Sequence, residues 1–295
     1  MKKMLFVMNP CAGTRKANKV LPEILNVFNR AGWDVCTYIT ENQRDAHTVI
    51  SRRAGEFDAV VCCGGDGTFN ETVAGVLSSG AQVPVGYIPA GSTNDFAISL
   101  GLPTDFIEAA KGIVEGTPQE FDMGQFGSRY FSYVASFGAF TRASYATPQN
   151  VKNALGHTAY ILGGIQEISQ IRNIHARLEL DDEVLEDNYL FGAVCNTTSV
   201  AGILTLDSSK VDMADGLFEI LLVRSPRNIT EITECIQAIQ NKTYDGGTLT
   251  FRSAKSVRIS MNEPVDWTLD GEWQPGCDQV EITNLRHAIK LLRKD

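Results

Sequence analysis

Apolar residues along the first 120 positions follow two alternating rhythms. Short runs at Met4–Met8, Val35–Ile39, Ala59–Cys63 and Val85–Pro89 read as strands. Between them, Asn18–Asn29 puts Val20, Ile24, Val27 and Phe28 on one side of a helix, with Gly32 where a helix C-cap is expected. Asp45–Arg53 and Phe69–Leu77 read as further helices, and Gly64–Thr68 as a glycine turn between strand and helix. Ser92–Asp95 leads into a short helix ending at Leu100-Gly101. Strands alternating with helices at this spacing predict a mostly parallel sheet with helices on both faces.

After Phe121-Asp122 the pattern changes. Tyr130–Val134, His175–Leu180, Val184–Tyr189, Phe191–Asn196, Phe218–Val223, Thr248–Arg252, Val257–Met261 and Val265–Leu269 are short β-branched or aromatic runs. Turn residues such as Asp181-Asp182 and Asp270-Gly271 separate many of them, which predicts an antiparallel layer or sandwich. Two helices interrupt it, Thr158–Gln170 and one starting at Asn228, where Glu231 three residues on gives a capping-box-like start. The expected division is residues 1–123 as an α/β domain and 124–279 as a β-rich domain. Residues 280–295 are candidates for a return to the first.

Composition narrows the function classes. The chain has 295 residues, 43% of them hydrophobic, enough for a real core. Its net charge of −9 argues against binding nucleic acid through a basic surface, and against unaided adhesion to anionic membranes. Seven cysteines at irregular spacings, with no CxxC pair, indicate neither a disulfide framework nor a zinc site. A reducing cytoplasm fits them best. The uncharged stretches Thr72–Asn94 and Asn188–Leu206 are too broken by Gly, Pro, Asn, Thr and Ser to be membrane spans.

The strongest candidate chemistry is Gly64-Gly65-Asp66-Gly67-Thr68-Phe69-Asn70-Glu71, after a strand and opening a helix. Glycines there let backbone N–H groups approach phosphate oxygens, and a helix N-terminus adds partial positive charge. The spacing fits neither GxGxxG nor GxxxxGK[ST]. A plain strand-to-helix connection would also use such glycines. Asp66 tips the balance, because a carboxylate in a phosphate cradle needs a cation such as Mg²⁺ between it and the ligand. Two more loops follow strands at the same level of the expected sheet, Asn9-Pro10-Cys11-Ala12-Gly13-Thr14 and Pro89-Ala90-Gly91-Ser92-Thr93-Asn94-Asp95.

These blocks resemble the diacylglycerol-kinase catalytic-domain family, and more closely its soluble bacterial diacylglycerol and lipid kinases. The resemblance rests on Asn9, Pro10 and Gly13, on Gly64–Glu71, and on Pro89 with Gly91–Ala97. It continues through Phe121–Gly124, Gly156–Tyr160, Asp212–Leu217 and Asp270-Gly271-Glu272. It implies a two-lobed α/β fold, a Rossmann-like parallel domain followed by an antiparallel β-sandwich domain, with ATP in the cleft between them. By resemblance Asn9, Pro10, Cys11, Ala12, Gly13, Thr40, Gly65, Asp66, Gly67, Thr68, Phe69, Asn70, Glu71 and Ser92 bind ATP. Ser92 stands where Thr is usual and Ala12 where Ser is common. Glu272 matches the proton acceptor, with Asp270 in the same turn. Asp212, Asp215 and the Leu217 carbonyl match a structural Mg²⁺ site.

The assignments make chemical sense. Phosphoryl transfer needs positioning and charge neutralisation more than covalent chemistry. Asp66 and Asp95, with Asp122 as a third member, would organise water around ATP-bound Mg²⁺. Glu272 would take the proton of an attacking lipid hydroxyl. Taken alone, Glu272 is also a carboxylate beside a common hairpin turn, and Asp212 and Asp215 an acidic loop. Arg129, Arg142, Lys152 and Arg172, with Phe126, Tyr130, Phe131, Phe137, Phe140 and Tyr145, are candidates for a lipid-accepting face, although aromatics in short strands are more often core. The expectation is a cytoplasmic kinase with ATP and a lipid as substrates, visiting the membrane surface transiently, with no nucleic-acid partner. A homodimer is compatible with the sequence. The rivals are a kinase of a soluble acceptor such as NAD, and a nucleotide-binding regulator without turnover.

Overall fold

The computed structural model describes residues 1–138, 173–197, 199–200, 204–205, 211–228, 230–231, 234, 237–238 and 247–294. The chain forms two compact units, Met1–Met123 with Leu285–Asp295, and Gly124–Asn284.

The first unit runs β1 (Lys2–Met8), α1 (Leu21–Arg30), β2 (Trp33–Ile39), α2 (Asp45–Arg53), β3 (Ala59–Gly64), α3 (Asp66–Ser79), β4 (Val85–Pro89), α4 (Asp95–Ser99) and α5 (Phe106–Glu115). Its strands pair in parallel, β4 on β3, β3 on β1 and β1 on β2. Met4, Phe6 and Met8 of β1 pack with Val61 and Cys63 of β3, Ile24 and Phe28 of α1 and Ile113 of α5. The expected helix at Asn18–Asn29 begins later, at Leu21, because Pro22 has no N–H and fits only a first turn. α3 begins three residues earlier than expected, since Phe69 N–H already closes a helical turn onto the Gly65 carbonyl at 3.0 Å. Gly67 lies within that first turn, which needs no internal acceptor for its N–H groups.

α5 has no counterpart in the sequence reading, although Asp105-Phe106-Ile107-Glu108 has capping-box spacing. Asp105 Oδ1 accepts the N–H groups of Ile107 and Glu108, each at 3.0 Å. Asp105→Ala should therefore destabilise the chain by about 0.5–2 kcal/mol, measured by urea unfolding.

The second unit is built on antiparallel pairs. β5 (Thr117–Phe126) enters it and pairs with β6 (Arg129–Phe131). β7 (Val134–Gly138), β8 (Ile174–Glu179), β9 (Val184–Cys195), the short β10 (Ser199–Val200) and β11 (Leu204–Thr205), β12 (Phe218–Arg224), β13 (Leu249–Ala254), β14 (Ser256–Leu269) and β15 (Glu272–Arg293) follow. The order is β13-β12-β9-β7-β14-β15, with β8 joining both β9 and β14. Two pairs of expected strands are single strands here. β9 alternates exposed and shielded residues in its first half and is wholly buried in its second, so its period changes midway. β14 absorbs Pro264 at the register shift between Ser260 and Val265, which is where a strand tolerates a residue without an N–H. Conversely, the run expected at Tyr130–Val134 breaks at Ser132-Tyr133.

Phe131, Phe137, Phe218 and Trp267 sit in one core cluster with Leu178, Ile220 and Ile259. Phe131 and Phe137, candidates for a lipid-accepting face, are thus core side chains. Arg142, Lys152, Arg172, Phe140, Tyr145, the Gly156–Tyr160 block and the helix expected at Thr158–Gln170 lie outside the described residues. At Asn228 the expected helix start has its cap, with Asn228 Oδ1 accepting Glu231 N–H at 2.9 Å. Among the described residues no helix is long and apolar enough to cross a membrane.

Candidate active site

β1 lies between β2 and β3, so strand addition reverses there, and open α/β sheets bind ligands beyond the carboxyl ends of strands at such a reversal. Loops after β1, β3 and β4 meet at this edge. In the first loop, Asn9 Oδ1 accepts Cys11 N–H at 2.9 Å and Asn9 Nδ2 donates to Thr68 Oγ1 at 3.2 Å, tying it to the start of α3. A Cβ on Gly13, which has φ +49°, would collide with the Ala90 carbonyl oxygen. A Cβ on Gly91 would meet Gly65 Cα at 2.6 Å. Bare backbone is what allows the three loops to touch.

The surroundings suit an anion. Gly65 is the N-cap of α3 and supplies no capping side chain, so the Asp66–Thr68 backbone lies at an uncapped, partially positive helix end. Thr40 is buried at the end of β2, its N–H on the Met8 carbonyl at 2.9 Å. Glu71 accepts Arg44 N–H at 2.7 Å, and Ser92 is exposed on the third loop. Phe69 differs from expectation. Its ring is fully buried and stacks on Tyr87 and Phe96 at centroid distances of 4.6 and 4.4 Å, because a large apolar side chain at this position completes the core beneath the loops. Only its backbone can belong to a nucleotide site.

Asp66 reaches across to the third loop, where its carboxylate accepts Asp95 N–H at 3.1 Å and Phe96 N–H at 3.4 Å. It thereby caps α4, whose own N-cap residue Asn94 is engaged elsewhere: Asn94 Oδ1 accepts Gly91 N–H at 2.8 Å. Asn94, at φ +55°, holds the third loop in shape, a role its place in the sequence block did not reveal. Burial raises the Asp66 carboxyl above its usual range, and burial followed by the Asp66 charge pushes Asp95 up to about 6. Two neighbouring carboxylates withdrawn from water are a donor set that a hard divalent cation would suit. Asp122 is fully buried and accepts His287 N–H at 2.7 Å, so the bond it makes here anchors the last segment of the chain.

In the second unit, Leu269 and Glu272 pair across the two-residue loop Asp270-Gly271, whose φ values are +49° and +82°. Positive φ at both central positions marks a type I′ hairpin turn. Glu272 is exposed, whereas Asp270 is 6% exposed. The Asp270 carboxylate accepts the N–H groups of Ser132, Tyr133 and Val134 at 2.6, 2.9 and 3.0 Å.

The acidic loop before β12 is folded by its own carboxylates: Asp212 Oδ1 accepts Ala214 N–H and Asp215 Oδ1 accepts Leu217 N–H, at 3.0 and 2.8 Å. The Leu217 carbonyl accepts Asn284 Nδ2 at 3.0 Å. Nearby Glu219, missed in the sequence because it sits in an apolar strand run, is 1% exposed and its Oε2 has no hydrogen-bond partner. Among the described residues no three His, Cys, Asp or Glu side chains converge as a metal site by themselves.

Burial, with Asp215 and Asp212 adding to it, pushes the Glu219 carboxyl up to about 8. The folded chain then keeps a proton that the unfolded chain releases, so stability from this group is intact below its ordinary 4.5 and lost as pH rises through about 8. In protein freed of divalent cations with EDTA, Glu219→Gln should accordingly raise Tm little near about pH 5 and progressively more up to about pH 8. Calorimetry across that range checks it.

Residues 3–126 match the diacylglycerol kinase catalytic domain family, and residues 134–292 the YegS C-terminal NAD kinase beta sandwich-like domain family. The chain is 31% identical to a diacylglycerol kinase of Bacillus subtilis, over 100% of this chain and 98% of that protein. It is 33% identical to one of Staphylococcus carnosus, over 98% and 94%. A crystal structure of a diacylglycerol kinase from Bacillus anthracis superposes with a TM-score of 0.76 at 23% identity, covering 99% of this chain and 97% of that one, which supports the fold. Over its whole length, then, this chain belongs to the diacylglycerol kinase family and is an ATP-dependent kinase.

Proposed function

We propose that the chain transfers the γ-phosphate of ATP to the hydroxyl of diacylglycerol or a related lipid, with Mg²⁺ bound and Glu272 as proton acceptor. The observation that supports it best is the meeting of three strand-end loops through Gly13, Gly65 and Gly91 around an uncapped helix N-terminus. Backbone N–H groups of Asp66–Thr68 would hold phosphate oxygens, with Asn9 and Asn94 fixing the loops on either side. Asp66 and Asp95 would hold Mg²⁺ through water, and the ion supplies charge neutralisation on the phosphates. The lipid hydroxyl gives its proton to Glu272, its oxygen bonds to the γ-phosphorus, and ADP departs with the bridging oxygen.

Asp212, Asp215 and the Leu217 carbonyl would hold a second Mg²⁺, and the orphaned Glu219 oxygen is consistent with a cation nearby. Membrane contact would be transient, since a net charge of −9 gives no general attraction to anionic lipid.

The match of the second unit to an NAD kinase beta sandwich-like domain keeps NAD as a rival acceptor. Purified protein with labelled ATP and Mg²⁺, offered dioctanoylglycerol micelles or NAD, separates the readings. Label should enter the lipid and should vanish with EDTA. Label in NAD alone would overturn the lipid reading.

A further inference from the structure

Asp270 carries more backbone than a turn requires. Asn-Gly serves a type I′ turn as well as Asp-Gly does, so the turn itself does not select a carboxylate. The three N–H donors do. Oδ1 accepts from Tyr133 and Val134 and Oδ2 from Ser132. An amide has one acceptor oxygen, so in either orientation its NH₂ would face at least one backbone N–H.

The bonds also fall at a structural seam. β7 and β14 pair through Phe137↔Trp267, Ser136↔Thr268 and Ala135↔Leu269. Asp270 N–H extends that ladder to the Val134 carbonyl at 2.8 Å. Its side chain then folds over the start of β7 and takes the N–H groups at the bend before it. This is why the apolar run at Tyr130–Val134 breaks into two strands: at Ser132-Tyr133 the backbone donors go to a side chain instead of a neighbouring strand. The hairpin tip that bears Glu272 is thereby tied to the bend between β6 and β7.

We propose that Asp270 is a positioning residue: its carboxylate clamps the Ser132–Val134 backbone and so fixes the hairpin tip on which Glu272 acts, and it does not itself exchange a proton with the substrate. The inference rests on the reading of Glu272 as proton acceptor. Gly271 and Glu272, at the tip, are both exposed. Proton transfer tolerates little misplacement of the acceptor.

The test compares Asp270→Asn and Glu272→Gln with the wild type, using ATP, Mg²⁺ and dioctanoylglycerol micelles over a pH series. Asp270→Asn should lower kcat about 10- to 100-fold, because the tip is displaced and the base is intact. Its ATP KM should stay within about twofold of wild type and the acid limb of its pH–kcat profile should persist. Glu272→Gln should lose that limb. Hydrogen exchange on the wild-type protein reads the clamp directly: the Ser132, Tyr133 and Val134 amides should be as protected as those in mid-β7, and Asp270→Asn should speed their exchange while Glu272→Gln does not.

Wild-type kinetics for Asp270→Asn beside an inactive Glu272→Gln would overturn this proposal alone. So would fast exchange of the three amides in the wild type, or loss of the acid limb in Asp270→Asn. Full activity with a wild-type pH profile in Glu272→Gln would overturn the proton-acceptor reading and this proposal with it.

Discussion

Glu272→Gln is expected to lower kcat for lipid phosphorylation by about 10²- to 10⁴-fold, the range that general-base catalysis supplies. Glutamine keeps the size of the side chain and its place opposite Leu269, so the hairpin has no reason to refold. What it loses is the ability to accept a proton. The strand-end loops proposed to hold ATP belong to the other unit and are untouched, so ATP affinity measured by calorimetry should match the wild type. The pair of measurements matters more than either alone. Activity lost with ATP binding intact is the signature of a missing base. Activity lost together with ATP binding would place Glu272 in nucleotide binding instead.

Gly91→Ala should have the opposite signature. The added methyl would sit 2.6 Å from Gly65 Cα and 2.6 Å from Asn94 Oδ1, so it presses on rigid backbone and on the side chain that shapes the third loop at once. Overpacking of this kind costs about 1–3 kcal/mol, which corresponds to an ATP KM raised about 5- to 150-fold if the strain falls on the bound geometry. The measurement is ATP KM beside Tm. A large rise in KM with a modest fall in Tm is the expected outcome. Unchanged ATP KM would show that the closeness of these two loops is irrelevant to nucleotide binding. Gly112→Ala, inside α5 with open space at its Cβ position and no positive φ, controls for glycine replacement in general.

Much of the fold was legible because its determinants are local. Asp45–Arg53 and Val85–Pro89 have the bounds that periodicity gives, since turn or capping residues flank each. α5 was overlooked although its Asp105 cap was in plain view. β9 and β14 were each divided in two because a change of period and a proline look like strand ends in one dimension. They are continuous only because neighbouring strands supply partners across the irregularity.

The site divides in the same way. Glycine spacing announced the three loops, but their mutual contact through Gly13, Gly65 and Gly91 is a property of strand order. Phe69 lies inside a block of functional spacing and is nonetheless core. Asp122 and Asp270 look like Asp66 and Asp95 by residue type, yet each captures backbone N–H groups more than 130 positions away in sequence. Glu219 was invisible because one acidic residue in an apolar run resembles the solvent-facing step of a strand.

The return of Leu285–Asp295 to the first unit has a consequence for how the chain is made. β15 ends alongside β4 at Leu291↔Val85, and Leu292 lies in the same core cluster as Met4 and Phe28. A ribosome therefore releases β4 long before its outer partner exists, and for more than 150 residues of synthesis that strand has an open edge. The three strand-end loops can begin to form early, but the sheet that bears them closes last. A chaperone-bound or aggregation-prone nascent form is the natural cost of that order, and a chain cut before Leu285 would inherit it permanently.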